Sequence, residues 1–572
     1  MGIAKAAFII MLGNIASRLL GVVREQVIAG LFGLTDAADI FSVASRVTTP
    51  IYDLLIGGMI SAALIPVFSD YADRKEHQSE LWLIASVILN LIFIMFAAAV
   101  ALLVVLAPLL MQVYGYGFDV EKQVAAVGLV RVMLTALILM GISGVFTALL
   151  YSRRRFGLPA LIGAAYNSGI IVVALLLHKQ MGVGSLALGI VIGGILQVVV
   201  LLPGLKGMRY SLKLSIRHPA VRRIIILYIP VALGLVVSAV GITIDSNLAS
   251  RTGEGNMAAM RYATTLIQFP LGVVATATSF AVLPTLSRYA ATMLGQRTAL
   301  TEEPLASVTA PEPAVGAQPT LLTDHPDADF SGIPKGRDSI GAEETVSSAQ
   351  DDALAAYKET LALGLKMMLL MTLPATVGLA LLRVPVIQLL FQHGVFGVED
   401  TARTALAFLC YSPGLPAAAV DQLLIYAFYA RKNTVTPVVV GVLAVLVYLG
   451  VGVSLLKPLG MPGLAIANSA QWIFHALVML FLMSRTVAGL KGLGIGVLTC
   501  KVLAASALMG AVLFFIVDPI LGDLVSIERV QGCLYYLAIA TISGFTVYIA
   551  AIVVLRVQEV NTIWSTIKES RH

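Results

Sequence analysis

The sequence predicts an all-α integral membrane protein with fourteen transmembrane helices, arranged as two pseudo-symmetric six-helix lobes plus two appended helices. Three observations predict it. Of 572 residues, 58% are hydrophobic and 12% charged, against about 25% charged in a soluble domain. Apolar runs long enough to cross a bilayer, about 20 residues, recur fourteen times, and an eleven-residue pattern returns at an offset of 218. A mean hydropathy of +0.92 excludes a soluble enzyme, a disordered chain and a small disulfide scaffold.

The predicted spans are 6–31, 38–70, 81–113, 123–152, 158–178, 185–205, 224–249, 257–288, 358–382, 401–430, 435–456, 462–484, 496–517 and 532–555. In hydrocarbon, a backbone that does not close a barrel satisfies itself only as helix. The opening stretch reads as the first span, because no small-residue cleavage site follows a short apolar core. Cys410, Cys500 and Cys533 have no metal or disulfide spacing.

Orientation follows the short-loop bases. Loops after even-numbered spans carry Arg74-Lys75, Arg153-Arg154-Arg155, Lys206 to Arg223, Arg431-Lys432 and Arg485 with Lys491. Loops after odd-numbered spans are poorer, which predicts a multi-pass plasma-membrane protein with both termini cytoplasmic. Residues 300–355 hold a net charge of −9 and the rest of the chain +15. An excess of bases spread over loops points to membrane orientation and not to nucleic acid.

Residues 291–356 form the one long hydrophilic stretch, with six prolines between 304 and 334 and no apolar period. Composition predicts a disordered acidic cytoplasmic linker. The repeat pairs Ala62–Ala72 with Phe280–Ala290, five of eleven positions being identical. Its copies lie in spans two and eight, which run in the same direction. Such a repeat predicts two lobes about an axis along the membrane normal, a transporter layout. Residues 1–223 then form the first lobe, 224–290 and 357–490 the second, and 491–572 the appended helices and tail.

Charges inside a membrane face a partner or a wet cavity. At 100° per residue, Asn14, Ser17, Arg18, Arg24 and Glu25 fall in a sector of about 120°. Asp39, Ser42, Arg46, Thr49 and Asp53 fall within about 80°. Arg261, Thr264, Thr265 and Gln268 share a face of span eight. One reading is a cavity between lobes whose arginines meet an anion, since the planar guanidinium fork suits phosphate. The other is that Arg24–Glu25 and Asp39–Arg46 are pairs locking helices together. Asp245 and Asp421 are candidates for a coupling cation or a proton, and His475 for a satisfied bundle histidine. Pro50, Pro270, Pro374 and Pro416 predict kinks. No nucleophile elbow, phosphate loop or zinc motif is present, so no enzyme and no bound cofactor is expected.

The run LLGVVREQVIAGLFGLTDAADIFSVASRV followed by SAALIPVFSDY resembles the amino-terminal signature of the MurJ/MviN family. Residues 149–171, 269–287 and 411–437 resemble it as well, so the likeness spans the chain apart from 291–356. The resemblance implies fourteen helices in two lobes within the multidrug/oligosaccharidyl-lipid/polysaccharide exporter superfamily. It implies flipping of lipid II, the undecaprenyl-diphosphate-linked peptidoglycan precursor, across the bacterial plasma membrane. Arg18, Arg24 and Asp39 match family cavity residues, with Asp39 expected to orient an arginine. Arg46 and Arg261 join them as substrate-binding candidates, and Asp245 matches an acidic position of span seven. Tyr52 and Thr265 stand where the family has arginines, Tyr448 and Gly452 where it often has cation-coordinating residues, and Tyr426 replaces an arginine of span ten.

These residues leave three readings. One is a flippase for lipid II or another polyprenyl-diphosphate-linked glycan, driven by a monovalent cation or the membrane potential. The second is a cation-coupled exporter of small amphiphiles. The third is a membrane scaffold whose acidic linker recruits cytoplasmic partners. For the flippase, the expected partners are a lipid-linked oligosaccharide, membrane lipid and, through the linker, cell-wall synthesis proteins.

Overall fold

The computed structural model describes residues 3–52, 60–72, 78–215, 218–293, 339–525, 529–557 and 559. Expectations placed on Asp53, Arg74, Lys75 and residues 294–338 lie outside these residues. Each predicted span has a helical counterpart. The first lobe holds α1 (Ile3–Phe32), α2 (Asp36–Tyr52), α3 (Ile65–Ala72) after a π-helical turn, α4 (Gln78–Tyr114), α5 (Val120–Ser152), α6 (Ile162–Met181) and α7 (Gly184–Leu201). The second holds α8 (Pro219–Ala249), α9 (Asn256–Met293), α10 (Ser339–Leu381), the short α11 (Arg383–Phe391), α12 (Val398–Tyr411), α13 (Gly414–Ala430), α14 (Val435–Leu459) and α15 (Met461–Thr486). The appended part is α16 (Ile495–Val512), α17 (Asp518–Leu524) and α18 (Val530–Val554). Among the described residues nine helices, or ten counting α12 with α13 as one bent span, are by themselves long and apolar enough to cross a membrane. Charged residues of the site below sit on four others, α1, α2, α8 and α9.

Helix ends reveal the symmetry of the lobes. At the end of α5 the Arg154 amide donates to the Tyr151 carbonyl at 2.9 Å and the Arg155 amide to that of Leu150 at 2.8 Å. At the end of α13 the Lys432 amide donates to Tyr429 at 2.8 Å and the Asn433 amide to Phe428 at 3.0 Å. Arg154 and Lys432 take φ of 58° and 59°, so both ends are the same left-handed cap. Gly182 after α6 and Gly460 after α14 match as well, at φ 52°, ψ −134° and φ 62°, ψ −129°. Both pairs are separated by 278 residues, which is 218 plus the 60 or so gained from the insertion between α9 and α10.

Two expectations change here. The linker is shorter than composition predicts, because α10 begins at Ser339 and residues 339–356 are helical. Its Ala- and Glu-rich sequence favours helix, and apolar side chains anchor it. Tyr357 is fully buried and its hydroxyl donates to the Ala427 carbonyl at 2.9 Å. The bend in span ten is 47° and falls at Ser412-Pro413, with Pro416 inside α13. Pro413 lacks an amide donor and so breaks the ladder there.

In the first lobe α6 and α7 meet through small residues. A Cβ on Gly193 would lie 2.7 Å from the Tyr166 carbonyl, and one on Gly169 would lie 2.7 Å from the Gly193 Cα. Without water to drive association, membrane helices gain most from such close approach. Gly193→Leu should separate α6 from α7 and cost about 1–3 kcal/mol or more, read as a lowered unfolding midpoint in detergent. Gly128→Leu, on an open face with nothing within 4 Å of its Cβ, should leave that midpoint unchanged.

Candidate functional site

The two lobes meet where α1 faces α9. Glu25 on α1 is 1% exposed, and its Oε1 accepts from Arg24 Nη2 at 2.6 Å and from Arg261 Nη2 of α9 at 2.8 Å. Arg24 Nε donates to the same oxygen at 3.2 Å. Arg24 is steered from α6: its Nη1 donates to Asn167 Oδ1 at 3.0 Å, while Asn167 Nδ2 donates to the carbonyls of Gly163 at 3.0 Å and Ser17 at 3.2 Å. The Arg261 guanidinium lies 4.5 Å over the Phe41 ring. Glu25 Oε2 and Arg261 Nη1 are buried with no partner among the described residues. Two guanidinium groups from opposite lobes thus share one carboxylate.

Arg18 lies seven residues before Glu25 on α1 and reaches α9 at Gly272, eleven residues after Arg261. A Cβ at position 272 would overlap its guanidinium. Those separations are about 10 and 16 Å along the two axes, so α1 and α9 run antiparallel across the seam. Arg18 is exposed and has no hydrogen-bond or ion-pair partner among the described residues. Three guanidinium groups and one carboxylate leave two net positive charges along this seam.

Arg46 and Asp245 form a second link between lobes. Arg46 Nη1 on α2 pairs with Asp245 Oδ2 on α8, and the Tyr448 hydroxyl of α14 donates to Asp245 Oδ1. Both oxygens of Asp245 are therefore engaged, and an arginine stands where the sequence suggests a coupling cation. Arg46 and Asp245 keep 19% and 27% of their side chains exposed.

Asp39 requires a correction. It orients no arginine and does not pair with Arg46. Its Oδ2 accepts from the Gly255 amide at 2.6 Å and its Oδ1 from the Ala258 amide at 2.9 Å. These are the amides that a capping box satisfies at a helix N-terminus, here supplied to α9 by a residue of the other lobe. The side chain is buried at 2% exposure. A further backbone bond joins the lobes nearby, from the Val395 amide to the Gly30 carbonyl at 2.8 Å.

These links cluster at the end of the molecule that carries the α1–α2 turn. Glu25 is seven residues from the end of α1, Asp39 and Arg46 lie in the first eleven residues of α2, and Asp245 is four residues from the end of α8. At the opposite end an ion pair of Arg223 with Asp70 at 2.5 Å joins α8 to α3, with both side chains more than half exposed. Such exposed pairs contribute little. An apolar groove of about 390 Å³ opens between α10, α12 and α16, walled by Val377, Leu381, Leu409, Gly510, Phe514 and Phe515.

Sequence reasoning missed the centrality of Glu25, the steering role of Asn167, and Gly272. Glu25 shares the phase of the α1 stripe, so the signal was present. Gly272 carried none, because its role is the space it leaves.

Membrane-spanning helices in two lobes, with arginines on the seam between them, define a polytopic membrane transporter. The family model described as lipid II flippase MurJ matches residues 28–301 and 345–556, and the chain belongs to that family. A probable lipid II flippase MurJ of Haemophilus influenzae is 26% identical over 523 residues, covering 89% of this chain and 91% of the relative. A lipid II flippase MurJ of Burkholderia cenocepacia is 25% identical, covering 78% and 77%. A solved lipid II flippase MurJ in an inward closed conformation superposes with a TM-score of 0.71 at 20% identity, over 96% of this chain and 99% of that one. An inward-facing multidrug transporter of the MATE family superposes at 0.61 and 13% identity.

Two substitutions separate the roles. Glu25→Gln leaves two half-buried guanidinium groups without their counter-charge and should lower unfolding stability by about 1.5–3 kcal/mol. Asp39→Ala removes only a cap, worth about 1 kcal/mol, and should lower it less. Thermal unfolding of the purified protein distinguishes them.

Proposed function

We propose that the protein flips lipid II across the bacterial plasma membrane by alternating access, making and breaking no covalent bond in its cargo. The observation that carries this reading is the seam of Arg18, Arg24 and Arg261 with a single shared carboxylate. A diphosphate carries negative charge and offers paired oxygens to guanidinium forks. Arg18, free of any protein partner among the described residues, is the donor first available to it. Family membership supports the cargo. The apolar groove beside α16 is suited to part of a polyprenyl tail that remains at the bilayer while the head group is enclosed.

Short-loop bases put the α1–α2 turn on the outer face and both termini in the cytoplasm. On that orientation the shared carboxylate, the Asp39 cap and the Arg46–Asp245 pair seal the outer end. This is the state that takes cargo from inside. The acidic stretch within 291–356 then lies in the cytoplasm, where it is placed to meet cell-wall synthesis proteins.

A second reading keeps the diphosphate and changes the glycan. Thr265 stands at a family arginine position and donates its hydroxyl to the Arg261 carbonyl at 2.9 Å, so it offers the cargo no charge. Arg261 supplies a guanidinium one turn away, which shifts the cation rather than removing it. An exporter of cationic amphiphiles fits less well, because the seam is itself positive.

Arg18→Ala should reduce outward movement of lipid II at least tenfold, given about 1.5–3 kcal/mol for a charge-assisted hydrogen bond. Arg18→Lys should retain part of it. The measurement is growth of cells depleted of their own lipid II flippase, paired with surface labelling of lipid II. Wild-type transport in Arg18→Ala would overturn the reading.

A further inference from the structure

The second lobe holds a largely enclosed acid–base pair that the seam does not use. His475 on α15 and Asp421 on α13 meet with Nδ1 2.5 Å from Oδ1. The other ring nitrogen, Nε2, lies 3.4 Å from the Pro437 carbonyl at the start of α14. His475 is 8% exposed, and it sits fourteen residues from one end of α15 and eleven from the other, well inside the bilayer.

Hydrogen-bond chemistry fixes what this arrangement holds. A carbonyl oxygen only accepts, so Nε2 must carry a hydrogen to bond Pro437. An ionised carboxylate also only accepts, so Nδ1 must carry one too. A neutral imidazole has a single N–H and satisfies one of the two. The geometry therefore accommodates one proton more than a neutral ring beside a carboxylate. A metal cation is a poor fit: no group of three or more His, Cys, Asp or Glu suited to a metal occurs among the described residues.

The surroundings suit proton movement. Tyr429 lies within electrostatic reach of Asp421 and of Tyr426, and Gln422 Nε2 lies 3.4 Å from the Tyr426 hydroxyl. From α14 the ring meets the Pro437 carbonyl and the bare face of Gly441. Among the described residues the ion-pair partner of the ring is Asp421. Asn468 and Gln471 share a sector of about 60° with His475 on α15, and Asn468 Oδ1 is buried without a partner.

We propose that Asp421 and His475 form a proton-binding site whose loading and release drives the exchange of the lobes. The proton comes from water on one side, adds to the imidazole or carboxylate, and returns to water on the other. Only N–H and O–H bonds change. The binding claim stands by itself, and the coupling claim rests on the transport reading above.

The test has two arms. In the first, full-length protein with 15N-histidine in nanodiscs is titrated by NMR from pH 5 to 9, with His475→Gln assigning the signal. His475 should be doubly protonated at pH 7, and Asp421→Asn should lower its midpoint by about one pH unit or more. A ring titrating like an exposed histidine (near pH 6.5), or one unmoved by Asp421→Asn, overturns the site. In the second arm, vesicles containing the protein and a polyprenyl-diphosphate sugar receive a gradient of one pH unit. Wild type should shift the transbilayer ratio of that lipid by up to about tenfold, the equivalent of one pH unit. Asp421→Asn and His475→Gln should exchange lipid without responding to the gradient. A wild type indifferent to the gradient overturns the coupling. Absence of exchange in all three proteins counts against the transport reading, and the first arm still decides the proton site.

Discussion

The structure depends on a carboxylate shared between lobes. Glu25 is almost fully buried, and burial of a lone carboxylate is prohibitive. Arg24 beside it and Arg261 across the seam make that burial tolerable. On the proposed reading, the groups that lock the lobes are the groups offered to the cargo. A diphosphate drawing on Arg24 and Arg261 competes with Glu25 for the donors that hold the lobes together. Ligands shift a conformational equilibrium only through differential affinity for its states, and this arrangement supplies such a difference directly.

The other links serve the same end of the molecule by different physics. Asp39 contributes no cation partner and instead completes the N-terminus of α9, using the partial positive charge of free amides. Arg46 and Asp245 form a charge pair with a phenol on the far oxygen. Each joins one helix of the first lobe to one of the second. Separating the lobes must therefore rehydrate a helix end, an ion pair and a shared carboxylate together, which favours two discrete arrangements over gradual opening.

The fold was legible because membrane crossing imposes a crude, strong pattern. Fourteen apolar runs and the even-loop bases define the helices without tertiary information. The repeat seen at offset 218 was one half of the symmetry. The other half, at 278, shows in helix caps at Arg154, Lys432, Gly182 and Gly460, where backbone geometry is shared while identical residues such as Tyr151 and Tyr429 are scattered. The start of α10 at Ser339 was missed because polar composition resembles a linker until Tyr357 is seen to anchor it. At the site, helical phase grouped the right residues yet could not assign partners across helices. Asp39 and Arg46 share a stripe, but one turns to backbone amides and the other to Asp245. Pairing depends on which helix lies opposite, and one strand of sequence does not contain that.

The length of α10 has a mechanical consequence. Its 43 residues make a rod of about 65 Å, twice the roughly 30 Å of hydrocarbon it crosses. Alongside it, α9 runs 38 residues, and Leu286, Ala290 and Tyr357 knit the pair together. Such a mast turns rotation into reach: tilting a rod of that length by about ten degrees sweeps its tip through roughly 10 Å. On the alternating-access reading proposed above, rocking of the second lobe is carried outward as a displacement beyond the bilayer.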